Sequence, residues 1–252
     1  MSGNGQDSAK HAMARNLPKR FYKTVRVGGG QPPFSILADE RSIKTPMKVD
    51  LAVPFLALAE AVAGEWDAQL DVIDPARMPL TRLCNTALDR VSVHKPRIVQ
   101  EITDFAASDL VCYRADSPEG LVLRQQEVWD PVLQFMADRL GVHLVATTGL
   151  MHATQPQASL QLVGEFLGRQ DPFALTAIHN ITTLTGSCAI ALAVHESALG
   201  GDMAWSAAHI DEDWQIEHWG EDDEARARRA ANRAEFDAAV ELLELLRAAS
   251  VA

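Results

Sequence analysis

Cysteine is scarce in this chain. Cys84, Cys112 and Cys188 are the only three, far apart and without a CxxC pair. That excludes a disulfide framework and a cysteine zinc site, and it fits a reducing compartment. Positive charge is short too: 23 Lys and Arg stand against 34 acids, for a formal net charge of −11. A general nucleic-acid binder or a protein held on an anionic membrane needs the opposite balance. No apolar run approaches the roughly 20 residues that span a bilayer. The first twenty residues are polar, with Gly3, Gly5, Asp7, Lys10, Arg15 and Arg20, and lack the apolar centre of a signal peptide. They read as a disordered tail, residues 1–19, on a cytoplasmic protein.

What is present is an ordinary globular composition, 47% hydrophobic and 23% charged over 252 residues, enough for one large domain or two smaller ones. The β signal comes first. Tyr22, Thr24, Val25 and Val27 make a strand-like run before Gly28, Gly29 and Gly30. The glycines invite a phosphate-loop reading, but no GK[ST] follows and Pro32 and Pro33 open no helix, so they read as a hairpin loop. Phe34, Ile36 and Leu37 form the next strand, Asp39-Glu40 a turn, and Val49, Leu51 and Val53 alternate at period two.

From Pro54 the period becomes helical, with Phe55, Leu58, Ala59, Val62 and Trp66 recurring at helical spacing. Helices are expected at Leu80–Val91, from Pro96 toward Tyr113, after Pro118 through Trp129 to Leu140 with a bend near Pro131, after Pro156, and after Pro172. Val142–Met151 is open between strand and loop. Ser187–Leu199 is apolar almost all round and reads as a buried helix. Phe236, Val240, Leu243 and Leu246 put one apolar stripe on the last helix. The fold class is therefore α+β: a tail at 1–19, a small N-terminal antiparallel β domain with the first helix at 20–72, and a larger all-helical domain at 73–252.

The richest stretch is Ala207–Arg229, with eight acids (Asp211, Glu212, Asp213, Glu217, Glu221, Asp222, Asp223 and Glu224) around Trp214 and Trp219. Gly220 reads as a helix stop. One helix over Asp202–Trp219 places Met203, Ala207, Ile210 and Trp214 on one face, and Glu212 with Trp205, Ile216 and Trp219 on the other. That allows a central helix buried on both sides with Glu212 paired internally, or a docking face for another protein. Asp222–Arg226 and Glu224–Arg228 are spaced as i,i+4 pairs at the start of the next helix.

Catalytic patterns are weak. His209 and Asp213 share a helix face, which supports a metal-assisted hydrolase only if a distant third ligand joins them. Cys188 near His195-Glu196 sits in an apolar run where a thiol is inert. Lys44 and Lys48 form a small basic patch. Arg77, Arg82 and Arg90 flank a polar run, Thr81, Asn85, Thr86 and Asp89, which reads as a hydrogen-bond network or a peptide groove. No nucleophile, base and oxyanion set emerges.

Several stretches together resemble a known family. They are R-F-Y-K-T-V at 20–25, S-I-K-T-P at 42–46, E-W-D-A-Q at 65–69, M-P-L-T-R-L-C-N-T-A-L-D at 78–89, S-D-L-V-C-Y-R-A at 108–115, W-D-P at 129–131, and the Ile210–Glu224 stretch with Q-I-E-H-W-G-E. In this order they are similar to the ATP12 chaperones, assembly factors for the alpha subunit of the ATP synthase catalytic head. The resemblance implies a non-enzymatic chaperone that holds an unassembled alpha subunit until a beta subunit replaces it. It implies a monomer with no cofactor, no nucleic acid and no membrane insertion, in the bacterial cytoplasm or, in a eukaryote, the mitochondrial matrix. Trp66, Glu212, Glu217, Trp219, Glu221 and Glu224 are the expected partner-binding residues. One departure stands out: the family tends to glycine after the aspartate of the β turn, where this chain has Glu40. A positive backbone angle there would cost a non-glycine residue about 1 kcal/mol.

Overall fold

The computed structural model describes residues 17–149 and 153–250. Most of the tail expected at 1–19 lies outside the described residues, as does the end of the Val142–Met151 segment. The chain divides into two compact units, one holding the residues up to Asn85 and the other Thr86–Ala248. The division falls later than the 72/73 boundary drawn from the sequence.

In the first unit, strands β1 (Val25–Gly28), β2 (Phe34–Ala38), β3 (Arg41–Ser42) and β4 (Ala52–Val53) form one antiparallel sheet. β1 meets β2 with Val25 opposite Ala38 and Gly28 opposite Ser35, and β4 takes the other edge of β2 through Phe34–Val53. The sheet buries Ile36, Leu51 and Val53 against Leu58, Ala59 and Val62 of helix α1 (Leu56–Asp67). A sheet this small needs such a cover.

The turn between β2 and β3 is left-handed at both central residues, Asp39 (φ 44°) and Glu40 (φ 70°), the conformation that matches hairpin twist. The Asp39 carboxylate accepts hydrogen bonds from Lys23 N and Thr24 N at 3.0 and 2.9 Å. These bonds, Thr24's first, hold its pKa below the usual value. Glu40 carries its positive φ without being glycine, and its carboxylate pairs with Arg26.

The E-W-D-A-Q and M-P-L-T-R motifs explain each other. Glu65 accepts Leu80 N and Thr81 N, both at 2.7 Å, at the start of α2 (Pro79–Thr86). A carboxylate there satisfies orphan amides and meets the positive end of the helix dipole. Gln69 donates to Glu65 O and accepts from Asp74 N, fixing the connector between the two helices. That connector holds a short 3-10 turn at Pro75–Arg77.

Among its described residues, the second unit is helical apart from one two-stranded parallel pair, β5 (Tyr113–Arg114) with β6 (Thr147–Thr148). Its helices are α3 (Ser92–Ala107), α4 (Glu119–Leu140), α5 (Gln157–Gly168), α6 (Pro172–Thr185), α7 (Cys188–His195), α8 (Gly201–Ala208), α9 (Ile210–Trp219) and α10 (Asp223–Ser250). A π turn at Ala87–Val91 leads into α3. α3 is broken by a kink at His94 (φ −118°, ψ 29°), so its longer part starts just before Pro96, as expected, where the proline ring meets no preceding turn. α4 continues through Pro131.

The core is built around α7, where Cys188 to Val194 are all buried and which touches α3, α4, α6 and α8. Its start is capped by Ser187, whose hydroxyl accepts Ile190 N at 3.0 Å, and by the buried Asp109. α6 opens on Asp171, which accepts Phe173 N and Ala174 N, with Pro172 at its first position. Burial pushes the thiols of Cys84 and Cys188 upward and that of Cys112 up to about 12, so all three are inert.

Candidate partner-binding surface

The acidic stretch is three helices, not two. The single helix drawn over Asp202–Trp219 breaks at His209 (φ −116°, ψ 19°) into α8 and α9. The break rotates one half against the other, so the expected faces do not hold. Met203 is 61% exposed, while Trp205 is buried with Ala204, Ala207 and Ile210. α9 buries only Ile210, which rules out a central helix covered on both sides. The second break comes where expected, at Gly220 (φ 81°, ψ 176°), a backbone angle that glycine tolerates.

A repeated local device sets the two aromatic corners. His209 follows Trp205 by four residues and His218 follows Trp214 by four. Each histidine Nδ1–H donates to the tryptophan carbonyl at 2.7 Å, and each ring stacks on the tryptophan, at 3.9 and 4.4 Å between centroids. Trp214 is pinned further. The Arg124 guanidinium lies over it at 5.3 Å, and a Cβ on Gly120 of α4 would stand 2.8 Å from its Cη2, so only glycine lets the ring lie there.

Three of the eight acids of the stretch, Glu212, Asp213 and Glu217, are neutralised from neighbouring helices. Arg229 of α10 meets Glu212 at 3.4 Å and also pairs with Asp213. Arg233 pairs with Asp202 and lies over Trp205 at 5.6 Å. Glu217 forms a two-pronged pair with Arg124 at 2.9 and 3.0 Å, which lowers its pKa. Asp211 accepts from Gln125 Nε2 at 2.6 Å. Asp222 caps α10 by accepting Ala225 N at 2.8 Å, and Arg226 pairs with Asp223, so the expected Asp222–Arg226 side-chain pair is replaced by a cap and a shorter-range pair. Glu221 and Glu224 make no ion pair among the described residues.

The nominated residues thus fall into three groups. Glu212 and Glu217 are half-exposed members of ion pairs. Trp219, 78% exposed, and the unpaired Glu221 and Glu224 lie around the α9–α10 corner. Trp66 belongs to the first unit, where its carbonyl accepts the Tyr22 hydroxyl at 2.7 Å and its ring lies 5.8 Å from that of Tyr22. Its indole Nε1 is buried without a hydrogen-bond partner among the described residues. His209 and Asp213 do not converge on a site: His209 is taken by Trp205 and Asp213 by Arg229, and no cluster of three metal-capable side chains occurs among the described residues.

Beside this corner lies a groove of about 780 Å³, lined by Tyr113, Asp116, Leu121, Asp211, Trp214 and Trp219 among others. Sequence reasoning passed over Tyr113, Asp116, Leu121 and Arg124 as site residues. The S-D-L-V-C-Y-R-A motif at 108–115 was the signal: its Arg114 is buried, donates to the carbonyls of Val111 and Gln125, and shapes the floor.

A family model described as ATP12 chaperone protein matches residues 19–137. The solved structure of Atp12 from Paracoccus denitrificans is 37% identical, with 90% of this chain and 98% of that chain covered at a TM-score of 0.86. The chain belongs to the ATP12 chaperone family. A mutant form of the Paracoccus denitrificans Atp12p aligns equally well, 36% identical over 90% of this chain and 97% of the other at 0.86. A protein from Agrobacterium tumefaciens is 42% identical over 97% of this chain and 92% of its own, at 0.87. ATP12 membership makes this chain a chaperone in ATP synthase assembly and not an enzyme. Among the described residues, no helix of this ATP12 protein is long and apolar enough to cross a membrane.

Proposed function

We propose that the chain binds the unassembled alpha subunit of the ATP synthase catalytic head as a monomer and keeps it from aggregating until the beta subunit takes its place. The observation that carries this reading is the α9–α10 corner: a tryptophan 78% exposed beside two carboxylates without ion-pair partners among the described residues, on a chain of the ATP12 family. An unassembled subunit exposes interface that aggregates. A chaperone for it needs one strong aromatic contact plus charge that speeds encounter, without so much buried area that release becomes slow.

The division of acids gives the reading its grain. Glu221 and Glu224 are the electrostatic contacts, Trp219 the aromatic one, and Glu212 and Glu217 hold α9 against α10 and α4. Trp66 contributes a contact from the first unit. The test is a pull-down with isolated alpha and beta subunits offered separately. Alpha alone should be retained, without nucleotide, and its light scattering on dilution should fall. Glu224→Lys should weaken retention with an unchanged thermal midpoint. Retention of neither subunit, or of beta in preference to alpha, would refute the reading.

A further inference from the structure

We propose that the groove beside Trp219 receives a short segment of the client in which a large apolar side chain lies next to a lysine or arginine. The proposal rests on the reading that the client is the alpha subunit. It adds where the client docks and which chemistry is recognised.

The groove's size, about 780 Å³, falls in the range of built binding sites, ~300–1,000 Å³. Its lining includes the large side chains of Tyr113, Leu121, Trp214 and Trp219. Trp214 is preorganised by the close approach of Gly120, the Arg124 guanidinium and the stacked His218, so little ordering cost falls on binding at that wall. Trp219 differs. Its ring has only a tilted contact with His218 at 5.9 Å and is mostly in water, free to settle over an occupant.

Charge decides the occupant. Among the described residues that line the groove the one cation, Arg114, is turned inward: it bonds the Val111 and Gln125 carbonyls and pairs with Asp130 at 2.9 Å. Its two acids face no cation among the described residues: Asp211 has the Gln125 amide and Asp116 has the Ser117 hydroxyl. The groove therefore presents net negative charge beside apolar walls. A second copy of this chain, at −11, would meet it with like charge, and nucleic acid would do so more strongly. A small polar ligand would need convergent unsatisfied groups, whereas the Gln125 carboxamide is spent on Ala115 N and Asp211. An apolar side chain with a basic neighbour satisfies both features.

The experiment uses the full-length chain and isolated alpha subunit, titrated at low and moderate salt. Trp219→Ala should weaken binding by about tenfold or more. Asp116→Lys should weaken it and flatten its salt dependence. Met203→Ser, an exposed apolar residue outside the groove, should leave it unchanged. Because the three native thiols are buried, Gln215→Cys places an accessible thiol on the groove wall, and bound alpha subunit should protect it from a maleimide. Wild-type binding matched by both groove variants, with no protection of the thiol, would overturn the groove while leaving the alpha-subunit reading intact. Absence of wild-type binding would overturn both. A dimer that Trp219→Ala dissociates would also overturn the proposal, by placing a second copy in the groove.

Discussion

Asp109 is the group on which the second unit's stability should turn with pH. It is fully buried. Its carboxylate accepts Val111 N at 3.2 Å and Ala189 N at 2.9 Å, tying a 3-10 turn at Leu110–Cys112 to the start of the central α7. Burial pushes its pKa up to about 6 from 3.8, against the pull of hydrogen bonds from Ser187, Ala189, Val111 and Cys188. Consider Asp109→Asn. The amide turns one donor toward backbone N–H groups, leaving a buried amide unsatisfied, at a cost of about 1–3 kcal/mol at neutral pH. The pH dependence is the sharper signature. With its native pKa above the unfolded one, the wild-type folded state holds the proton longer, so this group's contribution to stability is fully present below about pH 4 and is lost as pH rises to about 6. A rise of about two pH units at 1.36 kcal/mol each gives about 3 kcal/mol. The variant has no such titration, so urea unfolding of both proteins between pH 4 and 8 should show the gap widening on acidification, by up to that amount. A gap that is constant, or that narrows toward acid, would refute the assignment of a raised pKa to Asp109.

Other expectations are as direct. Gly120→Ala should cost about 1–3 kcal/mol in urea unfolding, because the new Cβ meets Trp214 Cη2 at 2.8 Å, and it should shift the tryptophan emission; unchanged stability and emission would place Trp214 elsewhere. Trp129→Phe should cost about 1–3 kcal/mol, since the buried indole donates to Ala207 O at 2.7 Å and its loss orphans that carbonyl; calorimetry would show it. Glu40→Gly, made in an Arg26→Ala background so that the ion pair is already absent, should raise the thermal midpoint by relieving the left-handed backbone at φ 70°. A lower midpoint would count against strain there.

Local patterns in the chain were readable because they have local causes. Alternation at Leu51 and Val53 marks residues facing a core, although Val49, expected on the same face, is 47% exposed and the strand itself is only Ala52–Val53, and the apolar run at 188–194 marks a helix with no solvent face. The Asp39-Glu40 turn was legible, and so was the stop at Gly220. The motifs pointed to the ATP12 family. Less legible was the break at His209, since nothing in the residue types there forbids helix, and the partition depends on the Trp205–His209 stack and on how α8 sits against α7. The helix opening at Pro96 was legible, since the backbone breaks at His94 just before it, whereas the short helical run from Ser92 that leads into the kink was not.

By itself the sequence determined the order and type of most elements, the surplus of negative charge, and the family. Only the tertiary structure decided which acids are spent. Arg124, Arg229 and Arg233 reach Glu217, Asp213 and Asp202 from positions 93, 16 and 31 residues away along the chain, and Glu65 turned out to cap a helix that begins fourteen residues later. An ion pair or a cap depends on distance in space, and the spacing of residues along a chain reports that distance only within a turn or two of helix.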